Sequence, residues 1–549
     1  MRLDLPAADR NVGADRLVAA SRLEQNAEQG EMGKENAVNG ETSIGVNGRR
    51  FVDGHGRQVL LHGVNMVCKD RWRGYIGPWG EQDLAQLRNW GFNAIRLGVL
   101  WDGLEPEPGI FDQEYLRRLR RFIQQADAWG LRVIVDMHQD LYGVSFGDGA
   151  PKWATITDGT PYRPTEPWGD AYLTSGAVMQ AFDHFWSDDR GPDGLGLTGH
   201  YREAWKVLAQ TLGCEPNVVG YDVMNEPFPG SSATAGWQQL FVAYGAAWAR
   251  RNGQTVPALE DLFRQWRQAE TKLSMLPLLD DPKTYQSIVE SAAPWFQAWE
   301  REYLTPFHQG VRDAIRTVDE EKCIFLEPGY FSNMGVPSAI EPVRAENGEA
   351  DALQAYAPHA YDLLTDTEWV HAATPERVQF IFAQLTRVQD RWQWPMVVGE
   401  WGAFGCSSRA QGVALTVQRI LERILASDTY WHYLPDLDQY PFFPSLCRGY
   451  PMAIGGRLLE YWYDPAAATF QMSWEEDPNG GDDTVIYLPD TGVHAITFLQ
   501  GAGPFHVERL SQGRAGYVTI AARGSGLRTM IMGQKGNRPG IEGDRRNLS

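Results

Sequence analysis

At 549 residues the chain is long enough for a large domain with a smaller companion, and burying a core is no constraint. Its 50 basic against 70 acidic residues leave a net charge of −20 with no basic stripe, which excludes nucleic acid as a natural partner. Five cysteines, Cys68, Cys214, Cys323, Cys406 and Cys447, stand singly without a C-x-x-C spacing. That pattern excludes a disulfide framework and a structural zinc site, and the five read as reduced core residues.

The chain opens on Met1-Arg2-Leu3-Asp4, with no apolar run of signal-peptide length and no stretch that could cross a bilayer. A cytoplasmic protein is the expectation, with non-classical export left open. Residues 1–43 are rich in Ala, Glu, Asn and Gly and read as a flexible tail, as do 534–549. From 44 to 445, short apolar strands alternate with helical segments. The alternation is plainest where Tyr115, Leu116, Leu119, Phe122, Ile123, Ala126 and Trp129 fall at helical spacing behind an Asp112 cap. Gly130 ends that helix, and Leu131-Arg-Val-Ile-Val-Asp136 follows as a strand of the kind buried on both faces. Strands are expected near 58–65, 93–99, 131–137, 218–225, 322–327, 353–359, 395–400 and 428–433. Eight is the number a closed (β/α)8 TIM barrel requires, so the fold class is α/β.

Two connections, 141–217 and 228–300, are far longer than the usual few residues, and both follow strand C-termini. In a barrel that is the catalytic face, so they should wall the substrate cleft. The second carries Trp237, Phe241, Tyr244 and Trp248 at three- and four-residue intervals. Such a stripe is more often internal core than ligand surface. Near 445 the pattern changes to Gly-punctuated β-rich runs, among them Thr484–Leu488 and Gly516–Ile520, so 446–533 is expected to form a β-sandwich.

Two glutamates stand out by position. Glu226 closes the apolar run that starts at Val218, and Glu400 closes Pro395-Met-Val-Val-Gly399, so both emerge at the barrel mouth. A single glutamate after a strand is usually a surface residue or a helix cap. A pair on the fourth and seventh of eight strands matches the two carboxylates that glycosidic cleavage needs. Arg96, always charged, can hold Glu400 ionised, although a plain barrel-mouth salt bridge would look the same. Asn225 offers a donor and an acceptor beside Glu226. Tyr361 could donate to Glu400, and His138 and His359 could fix hydroxyls or neighbouring carboxylates. Trp431 could stack under a sugar, against the common role of a strand tryptophan as core. No His/Cys/Asp cluster shows metal-ligand spacing, so neither a metal nor another cofactor is expected.

Asn225-Glu226-Pro227 and Gly399-Glu400-Trp401-Gly402 resemble the acid/base and nucleophile motifs of glycoside hydrolase family five. His62-Gly63-Val64-Asn65, Gly91-Phe-Asn-Ala-Ile-Arg96-Leu97, Asp136-Met-His138-Gln-Asp140 and His359-Ala-Tyr361 resemble its other strand-end motifs, in order. The resemblance covers about 50–435 and implies a retaining mechanism, with Glu226 as acid/base and Glu400 as nucleophile. Lys69, His138-Gln139-Asp140 and Cys447-Arg448-Gly449-Tyr450-Pro451 look like the endoglycoceramidase and glucosylceramidase branch. That implies Lys69 and Asp140 on sugar hydroxyls, Trp431 as platform, a glycolipid or other β-glycoside as substrate, and transient contact with a lipid surface. The alternatives are a steryl-β-glucosidase, a cellulase-like β-glucanase or, from another class, a catalytically silent glycolipid-binding protein. Which sugar is accepted, and the oligomeric state, are left open.

Overall fold

The computed structural model describes residues 43–534, except 366, 478–481, 493 and 512. But for Ser43 and Gln534, the two expected tails lie outside them. Eight parallel strands form one sheet: His62–Met66, Ala94–Leu100, Arg132–His138, Val218–Asp222, Cys323–Leu326, Gln354–Tyr356, Val397–Val398 and Ser427–Tyr430. The eighth pairs with the first through Asp428 and His62, and the sixth meets the seventh through a parallel bridge between Tyr356 and Met396. His359–Ala360 and Glu400–Trp401 extend that last seam at the strand C-termini. The sheet is thereby a closed barrel, as expected.

The helix Gln113–Ala128 follows the second strand. The Asp112 carboxylate accepts from the N–H groups of Glu114 (2.8 Å) and Tyr115 (3.0 Å), which otherwise lack intrahelical partners. Its buried face is Tyr115, Leu116, Leu119, Phe122, Ile123 and Ala126. Each large member contributes about 1.5–3 kcal/mol by leaving water. Trp129 and Gly130, at φ +67°, end it.

The two long connections fold as helices. The first holds Gly176–Trp186 and Leu197–Leu212; the second holds Ala233–Asn252, Leu259–Trp266, Ala269–Met275 and Pro282–Trp299. The fifth connection departs from the ideal pattern, with only a short 3-10 turn, Tyr330–Met334, where a barrel helix would stand.

Residues 446–534 form most of two antiparallel sheets that share one core, with Ile454, Ile486 and Val518 facing Tyr461, Met472 and Trp474. Thr484–Leu488 and Gly516–Ile520 are strands. The larger sheet also takes in Ile44–Asn47, Arg50–Asp53 and Gln58–Val59, because Val59 pairs with Ala453. Ile44, Phe51 and Val59 pack in turn on Ala94, Ile134, Val219 and Phe325, closing the barrel floor opposite the catalytic face. No helix among the described residues is long and apolar enough to cross a membrane. Cys68 and Cys323 are buried, but Cys214 and Cys406 are exposed, against the expectation of five core cysteines, because both sit in turns between elements.

Candidate active site

The strand C-termini bring the ionisable residues of six strands to one point, with Arg96 at the centre. Its guanidinium is fully buried and meets acceptors on every nitrogen. Nε donates to Asp222 (2.9 Å); Nη1 donates to Glu400 (2.8 Å) and Asn65 (3.1 Å). Nη2 donates to Glu327 (2.8 Å) and Asn225 (3.0 Å) and lies 2.9 Å from Asp136. Only arginine offers five donors in a rigid planar fork, so lysine could not replace it. Burial opposes its charge, but the surrounding carboxylates, Asp136 foremost, hold the guanidinium firmly protonated.

Glu400 receives Arg96 on Oε1 and the Tyr361 hydroxyl on Oε2, the latter at 2.8 Å. Burial pushes its carboxyl up, to about 7, against the opposing charges of His359 and Arg96. The preceding Gly399 has a local reason: a Cβ there would stand 3.1 Å from His359 Nε2 and 3.5 Å from Arg96 Nε. Glu226 sits at φ +46°, a conformation rare outside glycine, and its own N–H donates to Glu327 Oε2 (2.8 Å). Its side chain meets Asn333 Nδ2 (3.0 Å) and His359 Nδ1 (2.9 Å), both on Oε1. Oxygens of Glu226 and Glu400 come within 4.8 Å of each other. Separations of about 5 Å leave no room for a water between the carboxyls and go with a covalent intermediate, whereas inverting pairs stand about 6.5–9.5 Å apart.

Of the residues picked from sequence, Lys69, His138, Asp140, Asn225, Glu226, Tyr361, Glu400 and Trp431 line one cavity of about 540 Å³. Arg96 and His359 stand beneath it and touch the two glutamates instead. His138 lies under Trp431 at 5.3 Å between centroids and 12° between planes, with Nδ1 2.8 Å from Asp136. Burial disfavours its cation, yet the Asp136 carboxylate prevails and raises it to about 10, so a charged donor faces the cavity at neutral pH. Lys69 bonds Asp140, lies 3.5 Å from Asp148, and sits 5.1 Å over the Trp431 ring. Among the described residues three clusters have ligand-like spacing: His138/Asp140/Asp148, Glu226/His359/Glu400 and Asp136/Asp222/Glu327. Lys69 bridges to carboxylates of the first and Arg96 to those of the third, while in the second His359 itself lies between the two glutamates.

Glu327, Asn333 and Glu300 were not picked from sequence. Glu327 ends the fifth strand as Glu226 and Glu400 end theirs, so the same signal was present. Asn333 lies in an irregular segment with no pattern to read. Glu300 opens a π-helical turn, and its buried carboxylate accepts from the N–H groups of Gly329 (2.9 Å) and Ala339 and from the Ser338 hydroxyl (2.8 Å). It thus staples both ends of the segment that holds Asn333 against Glu226.

A second, apolar pocket of about 110 Å³ adjoins the cavity, and Leu173, Trp266, Phe331, Met334 and Leu363 wall both. Trp237, Phe241 and Tyr244, the stripe weighed above as core, are buried and also line this pocket; Trp248 does not.

Comparison with known proteins adds two matches from one family. Residues 52–262 match the cellulase model (glycosyl hydrolase family 5), and residues 448–501 match the glycoside hydrolase family 5 C-terminal domain. Both matched segments, one in the barrel and one in the β-rich region, are thus similar to glycoside hydrolase family 5. The two family 5 matches and the endoglycoceramidase relatives together indicate a glycoside hydrolase. It is 26% identical over 524 residues to endoglycoceramidase I of Rhodococcus hoagii, covering 91% of this chain and 89% of that one. Over 314 residues it is 30% identical to an endoglycoceramidase of Cyanea nozakii, covering 52% of this chain and 50% of that one. Among solved structures, endo-glycoceramidase II from Rhodococcus sp. in its lactosyl-enzyme intermediate superposes with a TM-score of 0.63 at 25% identity, covering 88% of this chain and 99% of that one.

Proposed function

We propose that the chain hydrolyses the β-linkage between a sugar head group and a lipid aglycone such as ceramide, with retention of configuration. The observation that carries the reading is the shared wall: the cavity bearing both glutamates has Leu173, Trp266, Phe331, Met334 and Leu363 in common with an apolar pocket lined further by Trp237, Leu240, Phe241, Tyr244 and Ile288. In the first step protonated Glu226 gives its proton to the glycosidic oxygen while the Glu400 carboxylate bonds to the anomeric carbon, and the lipid alcohol departs. In the second, Glu226 takes a proton from water, which displaces Glu400 and releases the sugar. Arg96 and Tyr361 orient Glu400, while His359 and Asn333 fix Glu226. Lys69, His138, Asp140 and Asn225 present polar groups to the sugar hydroxyls, and Trp431 supplies a flat face beneath the ring. The endoglycoceramidase relatives and the lactosyl-enzyme intermediate of the Rhodococcus sp. protein support both the substrate class and the two-step course.

The test is kcat/KM for β-glucosides and β-galactosides with lengthening alkyl aglycones, below their aggregation limits. Each methylene that enters the apolar pocket contributes about 0.8 kcal/mol, so the rate constant should climb about fourfold per carbon until the pocket is filled. A flat series, or better turnover of cellotetraose than of every lipid glycoside, would overturn the lipid reading.

A further inference from the structure

Trp72 is the most exposed large apolar side chain of the described residues, at 98%. Nothing about it is loose. The Asp70 carboxylate accepts from the Trp72 N–H (2.8 Å), the Asp70 carbonyl accepts from Arg73 and Tyr75 (3.1 Å each), and Gly74 closes the turn in the left-handed region at φ +62°. Below it Tyr75 is buried and donates to Asp102, and Arg118 reaches over from its helix to donate to the Arg73 carbonyl (3.0 Å). A rigid turn therefore holds an indole fully in water, where it contributes nothing to folding. A single exposed apolar residue is ordinary on a protein surface, so what singles this one out is the fixed turn that presents it, its place and its neighbours.

Its position narrows what it can serve. The turn begins directly after Lys69, which lines the cavity, so Trp72 stands in the connection that leaves the first strand at the barrel mouth. Ile110, Trp168 and Leu195 are also exposed, and they lie in connections leaving the second and third strands at the same face. Charge narrows it further. Arg71 and Arg73 flank the indole with 65% and 55% of their side chains exposed, in a chain whose net charge is −20. Their carboxylate partners, Asp102 and Asp70, lie at 3.4 and 3.2 Å. An indole between two arginines suits the boundary of a bilayer, where the ring sits at head-group depth and the guanidinium groups meet anionic phosphates.

We infer that Trp72 with Arg71 and Arg73 is a membrane-docking finger that seats the barrel mouth on a lipid surface carrying anionic head groups. The finger would lower the mouth onto the surface in which a glycolipid lies, so its purpose rests on the function proposed above. The docking itself does not, and it can be measured without turnover.

The experiment is co-sedimentation of the full chain with glycolipid-free vesicles, either neutral phosphatidylcholine or phosphatidylcholine mixed with phosphatidylglycerol. Trp72→Ala should weaken partition to both kinds by about tenfold. Replacing Arg71 and Arg73 with Gln should cost about fivefold per arginine on the anionic vesicles and little on the neutral ones. Val318→Ala, which trims an exposed apolar residue ahead of the fifth strand, should change neither. Turnover of a soluble aryl β-glycoside should be the same in Trp72→Ala as in the parent. Parent-like vesicle binding by Trp72→Ala would overturn the inference, as would failure of the parent chain to bind either vesicle. An equal loss by Trp72→Ala on soluble aryl glycosides would also overturn it and make Trp72 a sugar subsite. If the parent chain turned over no β-glycoside at all, the function proposed above would fall, and the vesicle comparison would still decide the finger.

Discussion

Replacing Glu400 with Ala should lower turnover of every β-glycoside by about five orders of magnitude, because it removes the carboxylate proposed to bond the anomeric carbon. Glu226→Ala should behave differently. An aryl glycoside with an activated leaving group needs no proton, so its first step should survive and the glycosyl-enzyme should accumulate. Azide, which needs no general base, should then release it as a β-glycosyl azide. Glu400→Ala treated with azide should give the α product or none. A β product from Glu400→Ala would reverse the two roles. Because Glu226 accepts from Asn333 and His359 at 3.0 and 2.9 Å, each variant should be checked for an unchanged melting temperature.

The second large effect is expected at Arg96. Arg96→Met keeps much of the volume but removes the only guanidinium among Asp136, Asp222, Glu327 and Glu400. Leaving buried carboxylates unpaired costs about 3–5 kcal/mol, part of which the site escapes by taking up protons. Glu400, already pushed up to about 7 by burial, loses one of the three cations, His359, Arg96 and His138, that oppose the rise. The sign follows directly. A nucleophile must be ionised, so activity is lost as pH falls through its pKa, and the acidic limb of kcat/KM should move to higher pH in the variant. At neutral pH kcat/KM should drop by about 1,000-fold or more. A variant that is merely less stable, with its acidic limb unmoved, would show that Arg96 supports the barrel and not the nucleophile.

The pair of glutamates proposed as catalytic was legible because a parallel barrel presents its strand C-termini at one face. A polar or charged residue closing an apolar run is therefore a statement about position, and Glu226, Glu400 and His138 could each be placed that way. Glu327 carries the same signal after Cys323–Leu326, but cleavage by two carboxylates asks for no third acid at the mouth; it holds the Glu226 backbone and Arg96 together. Asn333 and Glu300 were not legible, since their link runs between a helix end and a patternless segment far apart in sequence. The pairing of Val59 with Ala453 is a long-range register that no local period encodes. The stripe at Trp237, Phe241 and Tyr244 was ambiguous for a physical reason: one helical face both packs the insertion and walls a pocket, and the two uses ask for the same side chains.

The central claim is that Glu400 forms a covalent bond to the sugar. A 2-deoxy-2-fluoro-β-glycoside with an activated leaving group tests it most directly, because the fluorine destabilises the oxocarbenium-like centre and the good leaving group keeps the first step ahead of the second. Incubation should inactivate the protein with stoichiometric release of the leaving group. Peptide mass spectrometry should then find the fluoroglycosyl group esterified to Glu400 alone. A label on Glu226 or Glu327, or continued turnover with no label on any carboxylate, would contradict the account.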